Sequence, residues 1–184
     1  MGVLTLLDYV VIAIALATLG SYIWSVKSHF ETSARQAGTR LIDVMVFTSA
    51  VLYTLLTLYL AQHPFVQGVG IAVMLGALAL FWLTIRETRH ANLLAAFSDK
   101  NPGSLVTTGP YALVRHPFYA SYVLFWFGFA ISTANIFAVG LSMVMVFVYL
   151  RAAKQEEEKF ARTPMAEEYA AFAKGRKRFI PFVL

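Results

Sequence analysis

The residues best suited to do chemistry form two polar groups at the ends of one short, very hydrophobic stretch. The first group is Thr107–Tyr119 (TTGPYALVRHPFY), which combines a rigid turn with a guanidinium, an imidazole and two phenols. The second group comprises Arg151, Lys154, Gln155, Glu156, Glu157 and Glu158. Polar groups at a membrane edge cost free energy to hold there, so they usually have a function. Together the two groups indicate a site at a membrane surface.

The three consecutive glutamates differ in the partners that helical spacing gives them. Glu158 has Lys154 four residues before it and Arg162 four residues after it, which predicts solvated ion pairs. Glu156 and Glu157 have only alanine or phenylalanine at those spacings. They are therefore free to face either water or a cationic ligand.

An alternative interpretation treats the same residues as anchors at the membrane interface. Arg115 would contact lipid phosphate, and an aromatic belt would be formed by Tyr111, Tyr119 and Tyr122. Likewise, Arg176-Lys177-Arg178 is predicted to contact lipid headgroups rather than substrate. His116, between an arginine and a proline, is less easily explained as an anchor.

The composition is that of an integral membrane protein. Of the 184 residues, 59% are hydrophobic and 14% are charged, whereas soluble domains carry about 25% charged residues. The mean hydropathy is +0.65. Cysteine is absent, which excludes disulfides, a thiolate nucleophile and a cysteine zinc site, and we predict no metal site. We expect an all-α fold and one membrane domain over residues 1–184.

Five apolar segments are predicted to cross the membrane, since a spanning helix needs about 20 apolar residues. They are Leu4–Val26, Leu41–Ala61, Phe65–Ile85, Pro117–Thr133 and Ile136–Leu150. The last two are short, and the fifth is expected to continue as a helix to about Arg162. Residues 1–85 then hold three N-terminal spans, and residues 86–184 form the half that carries the chemistry.

The cationic residues set the predicted orientation. With five spans, all 15 lysines and arginines fall on one side of the membrane. The positive-inside rule then places the N-terminus outside and the C-terminus in the cytoplasm. The site would face the cytoplasm, at the inner membrane in a bacterium. The net charge of +5 reflects orientation and contact with membrane lipids, and nucleic-acid binding is not expected.

The connection before the fourth span should position the chemistry. Helix three is predicted to continue to about Phe97, and Ser98–Gly103 is dense in turn formers. Leu105-Val106 is predicted to be extended, and Gly109-Pro110 a turn. Pro117 suits the first position of a helix. The free N–H groups and positive end of that helix would then lie near His116.

This ordered pattern resembles a known family over about residues 86–184. It consists of LVTTGPY at 105–111, Arg115-His116-Pro117-x-Tyr119, an apolar hairpin, paired glutamates, Glu168-Tyr169 and a terminal Ile180-Pro181. It resembles the isoprenylcysteine carboxyl methyltransferases, and the phospholipid N-methyltransferases are similar over the same part.

The resemblance implies a membrane-embedded methyltransferase that uses S-adenosylmethionine. A cytoplasmic loop and a C-terminal helix would form the cofactor site at the membrane surface. Carried onto this chain, the implied cofactor-binding residues are Leu105, Val106, Gly109, Tyr111, His116, Pro117, Tyr119, Glu156 and Glu157. The acceptor would be a lipophilic small molecule or a lipid that enters from the bilayer.

The predicted catalytic residues depend on the acceptor, which the sequence does not identify. A carboxylate acceptor needs no general base, whereas an amine acceptor would need one, with His116 or Glu157 as candidates. The resemblance implies an arginine before the paired glutamates that binds a substrate carboxylate. Arg151 is the candidate, and Lys154 or Arg115 could take that part. Carboxyl, amine and thiol acceptors all stay open, as does the oligomeric state.

Two other functions are compatible with the composition. One is a membrane sterol- or enone-type reductase that uses NADPH, although acidic residues near the Arg-His-Pro turn favour a cationic cofactor over a 2′-phosphate. The other is a scaffold or transport-associated protein without catalytic activity. It would bind neither cofactor.

Overall fold

A computed structural model describes residues 4–29, 37–89 and 104–181 as a bundle of helices. The helices are α1 Leu6–Ser28, α2 Ala37–Tyr59, α3 Pro64–Glu87, α4 Pro117–Ser132, α5 Ile136–Phe160 and α6 Ala166–Lys174. A short 3-10 helix, Gly109–Ala112, lies between α3 and α4. Over these residues the all-α prediction is confirmed.

Among the described residues, four helices are long and apolar enough to cross a membrane: α1, α2, α3 and α5. The fifth apolar helix, α4, has 16 residues and is about 24 Å long at 1.5 Å per residue. That is less than the roughly 30 Å of a hydrocarbon core. Most of α4 is buried by protein, including Phe125, Trp126 and Phe129. A helix that contacts little lipid need not match the bilayer in length. With α4 included, the described helices agree with the prediction of about five spans.

Two glycines let α3 and α4 approach each other closely. A Cβ atom added at Gly70 of α3 would lie 2.6 Å from the Gly128 carbonyl oxygen and 2.7 Å from the Ser132 Cβ. A Cβ added at Gly128 would lie 2.9 Å from Met74. Small residues commonly allow such backbone contact between membrane helices. The crossing fixes α4 against α3.

Buried polar side chains tie the other helices together. The Tyr53 hydroxyl of α2 donates to the Ala138 carbonyl oxygen of α5 at 2.6 Å. Gln67 of α3 donates to Asp8 of α1 at 2.6 Å, and the Thr5 backbone N–H donates to the same carboxylate at 2.7 Å. Asp8, the charged residue inside the first apolar segment, therefore caps α1 and links it to α3.

The helix before the connection ends earlier than predicted. We expected α3 to continue to about Phe97, but it ends at Glu87. At its end, the Thr88 hydroxyl donates to the Thr84 carbonyl oxygen at 2.8 Å, a side-chain bond that competes with helix continuation. Residues 90–97 and the predicted turn at 98–103 lie outside the described residues.

The C-terminal part folds back over one end of the bundle. α5 continues past Leu150, the end of its predicted apolar span, to Phe160. α6 begins at Ala166, with Met165 as its N-cap. The Tyr169 ring of α6 stacks on Phe160 with centroids 4.6 Å apart. Gly175 is the C-cap of α6.

Candidate active site

The backbone of the Arg-His-Pro turn is held by a segment about sixty residues later. Val114 forms a parallel bridge with Lys177. The Arg115 N–H donates to the Lys177 carbonyl oxygen at 2.8 Å, and the His116 N–H donates to the Arg178 carbonyl oxygen at 3.0 Å. Two neighbouring backbone bonds fix the direction in which the His116 side chain leaves the chain.

The turn before it is held by the end of α3. The Thr108 hydroxyl donates to the Glu87 carboxylate. Gly109 has a φ of +58°, and a Cβ added there would lie 2.7 Å from the Glu87 Oε2 atom. A left-handed backbone next to a close side chain favours glycine. Gly109 is thus placed as a turn residue, consistent with the predicted Gly-Pro turn.

His116 lies between the two glutamates that were singled out in the sequence. Its Nδ1 atom is 3.3 Å from Glu156 Oε2, and its Nε2 atom is 3.1 Å from Glu157 Oε1. An imidazole with a carboxylate at each nitrogen can donate from both only as the imidazolium. Burial lowers the pKa of His116, but the bonds to Glu156 and Glu157 outweigh it and raise the pKa above its ordinary value.

Glu157 is the centre of the charged cluster. Besides its contact with His116, it forms an ion pair with Arg115 Nη1 at 3.1 Å and accepts a hydrogen bond from Arg178 Nη2 at 2.7 Å. Arg178 Nε lies 3.1 Å from both Glu157 oxygens. Burial opposes ionisation of this carboxyl group, but the bonds from His116 and Arg178 lower its pKa to about 2.

These contacts correct two predictions. Glu157 does not lack charged partners, as its helical spacing suggested, because its partners come from other segments of the chain; its predicted role in cofactor binding stays a prediction. The run 176–178 was predicted to contact lipid headgroups. Arg178 has a partner within the protein, because its guanidinium pairs with Glu157. Sequence spacing gave no signal for Arg178, since a long-range backbone bridge brings it to the cluster.

Glu156 differs from Glu157 in its surroundings. Its side chain is 26% exposed, against 12% for Glu157. Among the described residues, the polar contact of Glu156 is with His116 through Oε2. The structure gives the Oε1 atom no polar partner among those residues, and binding of a ligand by Glu156 stays a prediction.

Aromatic side chains line the other side of the cluster. The Tyr119 ring stacks on His116 with centroids 5.6 Å apart and on Tyr149 with centroids 5.7 Å apart. Phe179 contacts the edges of both His116 and Tyr119. Burial and then Glu156 raise the pKa of the Tyr111 hydroxyl, which places this phenol near the carboxylates.

The remaining predicted residues are placed less centrally. Pro117 is buried at the start of α4, and Leu105 and Val106 are half-buried in a segment without regular structure. Lys154 pairs with Glu158 at 3.9 Å, as predicted. Arg151 is exposed on α5, and the structure does not bring it to the cluster. Its predicted role in substrate binding stays a prediction.

Residues 65–170 match a family model described as phospholipid methyltransferase. The chain belongs to the phospholipid methyltransferase family. The matched range covers more than half of the chain, from α3 into α6, and includes the Arg-His-Pro turn and both glutamates. The resemblance drawn from the sequence is confirmed. A search of curated proteins gave no match.

Membership of the phospholipid methyltransferase family implies methyl transfer to a membrane-associated substrate. It also implies, in general, S-adenosylmethionine as the methyl donor. In this family member, Arg178 lies beyond the matched range but completes the charged cluster. The family match therefore covers the carboxylates, the imidazole and Arg115, and the structure adds Arg178.

The cluster should make the stability of this phospholipid methyltransferase family member depend on pH. Because the pKa of folded His116 is raised, its contribution is complete below about pH 6.5 and is lost as pH rises through the folded value. Because the pKa of Glu157 falls from 4.5 to about 2, its contribution is present above about pH 4.5 and is lost as pH falls toward 2. The cluster should be most stabilising between those limits.

This pH dependence can be measured as the melting temperature of detergent-solubilised protein against that of His116→Gln. The difference between the two should be largest near pH 5.5 and should shrink as pH rises above 6.5. A difference that stays constant from pH 6 to pH 9 would contradict a protonated His116.

Proposed function

We propose that the protein transfers a methyl group from S-adenosylmethionine to a lipophilic acceptor that reaches the site from the bilayer, on the cytoplasmic side. The observation that carries the proposal is the His116 imidazole held between Glu156 and Glu157 at the end of an apolar bundle. Charged groups in such a place cost free energy to hold there, so they usually have a function. Family membership supports methyl transfer as that function.

The described residues fit the chemical groups of the proposed cofactor. S-adenosylmethionine carries a sulfonium, an ammonium, a carboxylate, a ribose and an adenine. Glu156, with one oxygen available, suits the ammonium or the ribose hydroxyls. The first backbone N–H groups of α4 lack helical partners and suit a carboxylate. The Tyr119 ring suits adenine or the sulfonium.

When bound, the cofactor supplies an electrophilic methyl group. The chain's own contribution would be to hold the reactants aligned and to exclude water, which together can lower a barrier by about 7 kcal/mol or more. Glu157 serves this purpose by joining Arg115, His116 and Arg178, which come from two separate segments. We therefore propose that Glu157 and His116 position the site, since a carboxylate with a pKa of about 2 is a weak base.

The charged residues indicate which side chains would serve each kind of methyl acceptor. For an amine acceptor, Glu157 is a poor base, because its carboxylate already has three cationic partners. For a carboxylate acceptor, Arg115 is favoured over Arg151 and Lys154, because it lies in the cluster. Methylation of a carboxylate would need no base at all.

Glu156→Gln is expected to weaken binding of S-adenosylhomocysteine at least tenfold, because a hydrogen bond to a charged group contributes about 1.5–3 kcal/mol. The melting temperature without ligand should change little, since the amide oxygen can still accept from His116. Affinities would be measured by calorimetry on detergent-solubilised protein. Glu158→Gln, two residues along the same helix and 54% exposed, is the matched control and should bind as the wild type does.

The same titration distinguishes the competing functions. Binding of NADPH, without binding of S-adenosylmethionine or S-adenosylhomocysteine, would favour a reductase. A folded protein that binds none of these ligands would favour the scaffold. Equal affinity of wild type and Glu156→Gln for S-adenosylhomocysteine would remove Glu156 from the proposed site.

A further inference from the structure

A cleft of about 470 Å³ opens beside the Arg-His-Pro turn, between residues 112–115 and the segment 173–181. Its described lining residues include four cations and no acidic side chain; the cations are Arg115, Lys174, Arg176 and Lys177. Arg115 also pairs with Glu157 at 3.1 Å, but Lys174, Arg176 and Lys177 have no carboxylate partner among the described residues. Such concentrated positive charge selects an anionic ligand.

The two arginines of the cleft are oriented by the surrounding chain. Arg176 Nε donates to the Ala112 carbonyl oxygen at 3.2 Å and Nη1 donates to the Phe172 carbonyl oxygen at 3.0 Å. Its guanidinium also lies 4.7 Å from the centre of the Phe172 ring. Arg115 Nε is buried and has no hydrogen-bond acceptor among the described residues. An anion in the cleft would meet oriented guanidinium groups rather than mobile ones.

Apolar side chains next to the cations indicate that the ligand is amphiphilic. Leu113, which lines the cleft, is 65% exposed, and Ile180, next to the lining residue Pro181, is 48% exposed. Exposed leucine and isoleucine beside lysine and arginine are characteristic of segments that lie in a membrane interface. A free anion would make no use of these apolar groups.

We propose that this cleft binds the phosphate of a membrane lipid whose headgroup carries a net negative charge. The cations contact the phosphate, and Leu113 and Ile180 contact the acyl region. A zwitterionic headgroup fits less well, because its ammonium would face the same cations. The cleft shares Arg115 with the charged cluster, but its other three cations lie outside that cluster, and the proposal does not depend on the proposed methyl transfer.

The test is titration of delipidated protein in detergent with dioleoylphosphatidylglycerol, followed by native mass spectrometry. The cleft variant is Lys174→Gln/Lys177→Gln, which removes two exposed charges and keeps the Lys177 carbonyl oxygen that accepts from Arg115. The lipid affinity should fall about 30-fold, at about 1 kcal/mol for each lysine near the lipid. Lys154→Gln/Lys159→Gln removes the same charge from α5 and should leave the affinity unchanged.

Two further ligands test whether the cleft prefers an anionic lipid over a zwitterionic lipid and over free phosphate. Dioleoylphosphatidylcholine should bind much more weakly than the anionic lipid, and inorganic phosphate should not displace the lipid at equal concentration. Equal affinity of wild type and cleft variant for the anionic lipid would overturn the proposal. So would equal affinity for the two lipids, or displacement by inorganic phosphate, since neither agrees with an anionic-lipid site. S-adenosylhomocysteine binding by the same variant would be measured in parallel and should not change.

Discussion

Glu157→Ala is expected to lower the free energy of unfolding by about 3 kcal/mol and to abolish binding of the methyl donor. The substitution leaves Arg115, His116 and Arg178 close together without the carboxylate that joins them. Removing one member of a buried charge network costs about 3–5 kcal/mol, because the remaining charges lose their partner. We take the lower end of that range, since the Arg178 side chain is 34% exposed. Thermal unfolding and ligand calorimetry on the same preparation would measure both effects.

Glu158→Ala is the matched control, because it removes the same group from the next residue of α5. Glu158 is 54% exposed and lies 3.9 Å from Lys154. An exposed pair of this kind contributes about 0.2–1 kcal/mol. Similar losses of stability in the two variants would mean that Glu157 is not the centre of the cluster.

Gly70→Ala is expected to destabilise the protein by about 3 kcal/mol through the crossing of α3 and α4. The added methyl group would lie 2.6 Å from the Gly128 carbonyl oxygen, and a backbone atom in a packed helix cannot move aside as a flexible side chain can. Overpacking of this kind typically costs 1–3 kcal/mol. For a protein of this size, the melting temperature should fall by roughly 6–12 °C.

Gly68→Ala, two residues earlier on the same helix, is the matched control and is not expected to lower the stability of the protein. No atom lies within 4 Å of a Cβ added at Gly68. Alanine is favoured over glycine inside a helix by about 1 kcal/mol, so this variant should be as stable as the wild type or slightly more stable. A loss at Gly68 equal to the loss at Gly70 would show that glycine flexibility, and not close packing, matters in α3.

Hydrophobic patterning was enough to predict the fold class and the helices that can span a membrane. It succeeded for α1, α2 and α3 because each of these apolar runs is about as long as the bilayer is thick, and that length can be read from the chain. Burial of α4 could not be read in the same way. A helix of 16 residues inside the bundle and one facing lipid have the same apolar composition.

The grouping of the site residues was predictable for those that the family resemblance includes, and not for the partners that only the folded chain brings together. The sequence associated His116 with Glu156 and Glu157 through a family resemblance, and the structure places all three in contact. The partners of Glu157 were missed, because local helical spacing cannot show a contact with Arg178. That contact arises from backbone pairing of residues 114–116 with residues 177–178, which depends on the folded arrangement of the whole C-terminal half.

The same backbone pairing bears on the order of events during biosynthesis. Residues 177 and 178 leave the ribosome after α1 to α5 have been made, yet they supply the carbonyl groups that hold Arg115 and His116 and the guanidinium that pairs with Glu157. A nascent chain can therefore insert α1 to α5 into the bilayer while the charged cluster is still unassembled. Assembly of the cluster is then coupled to translation of residues 177 and 178 rather than to insertion of the helices.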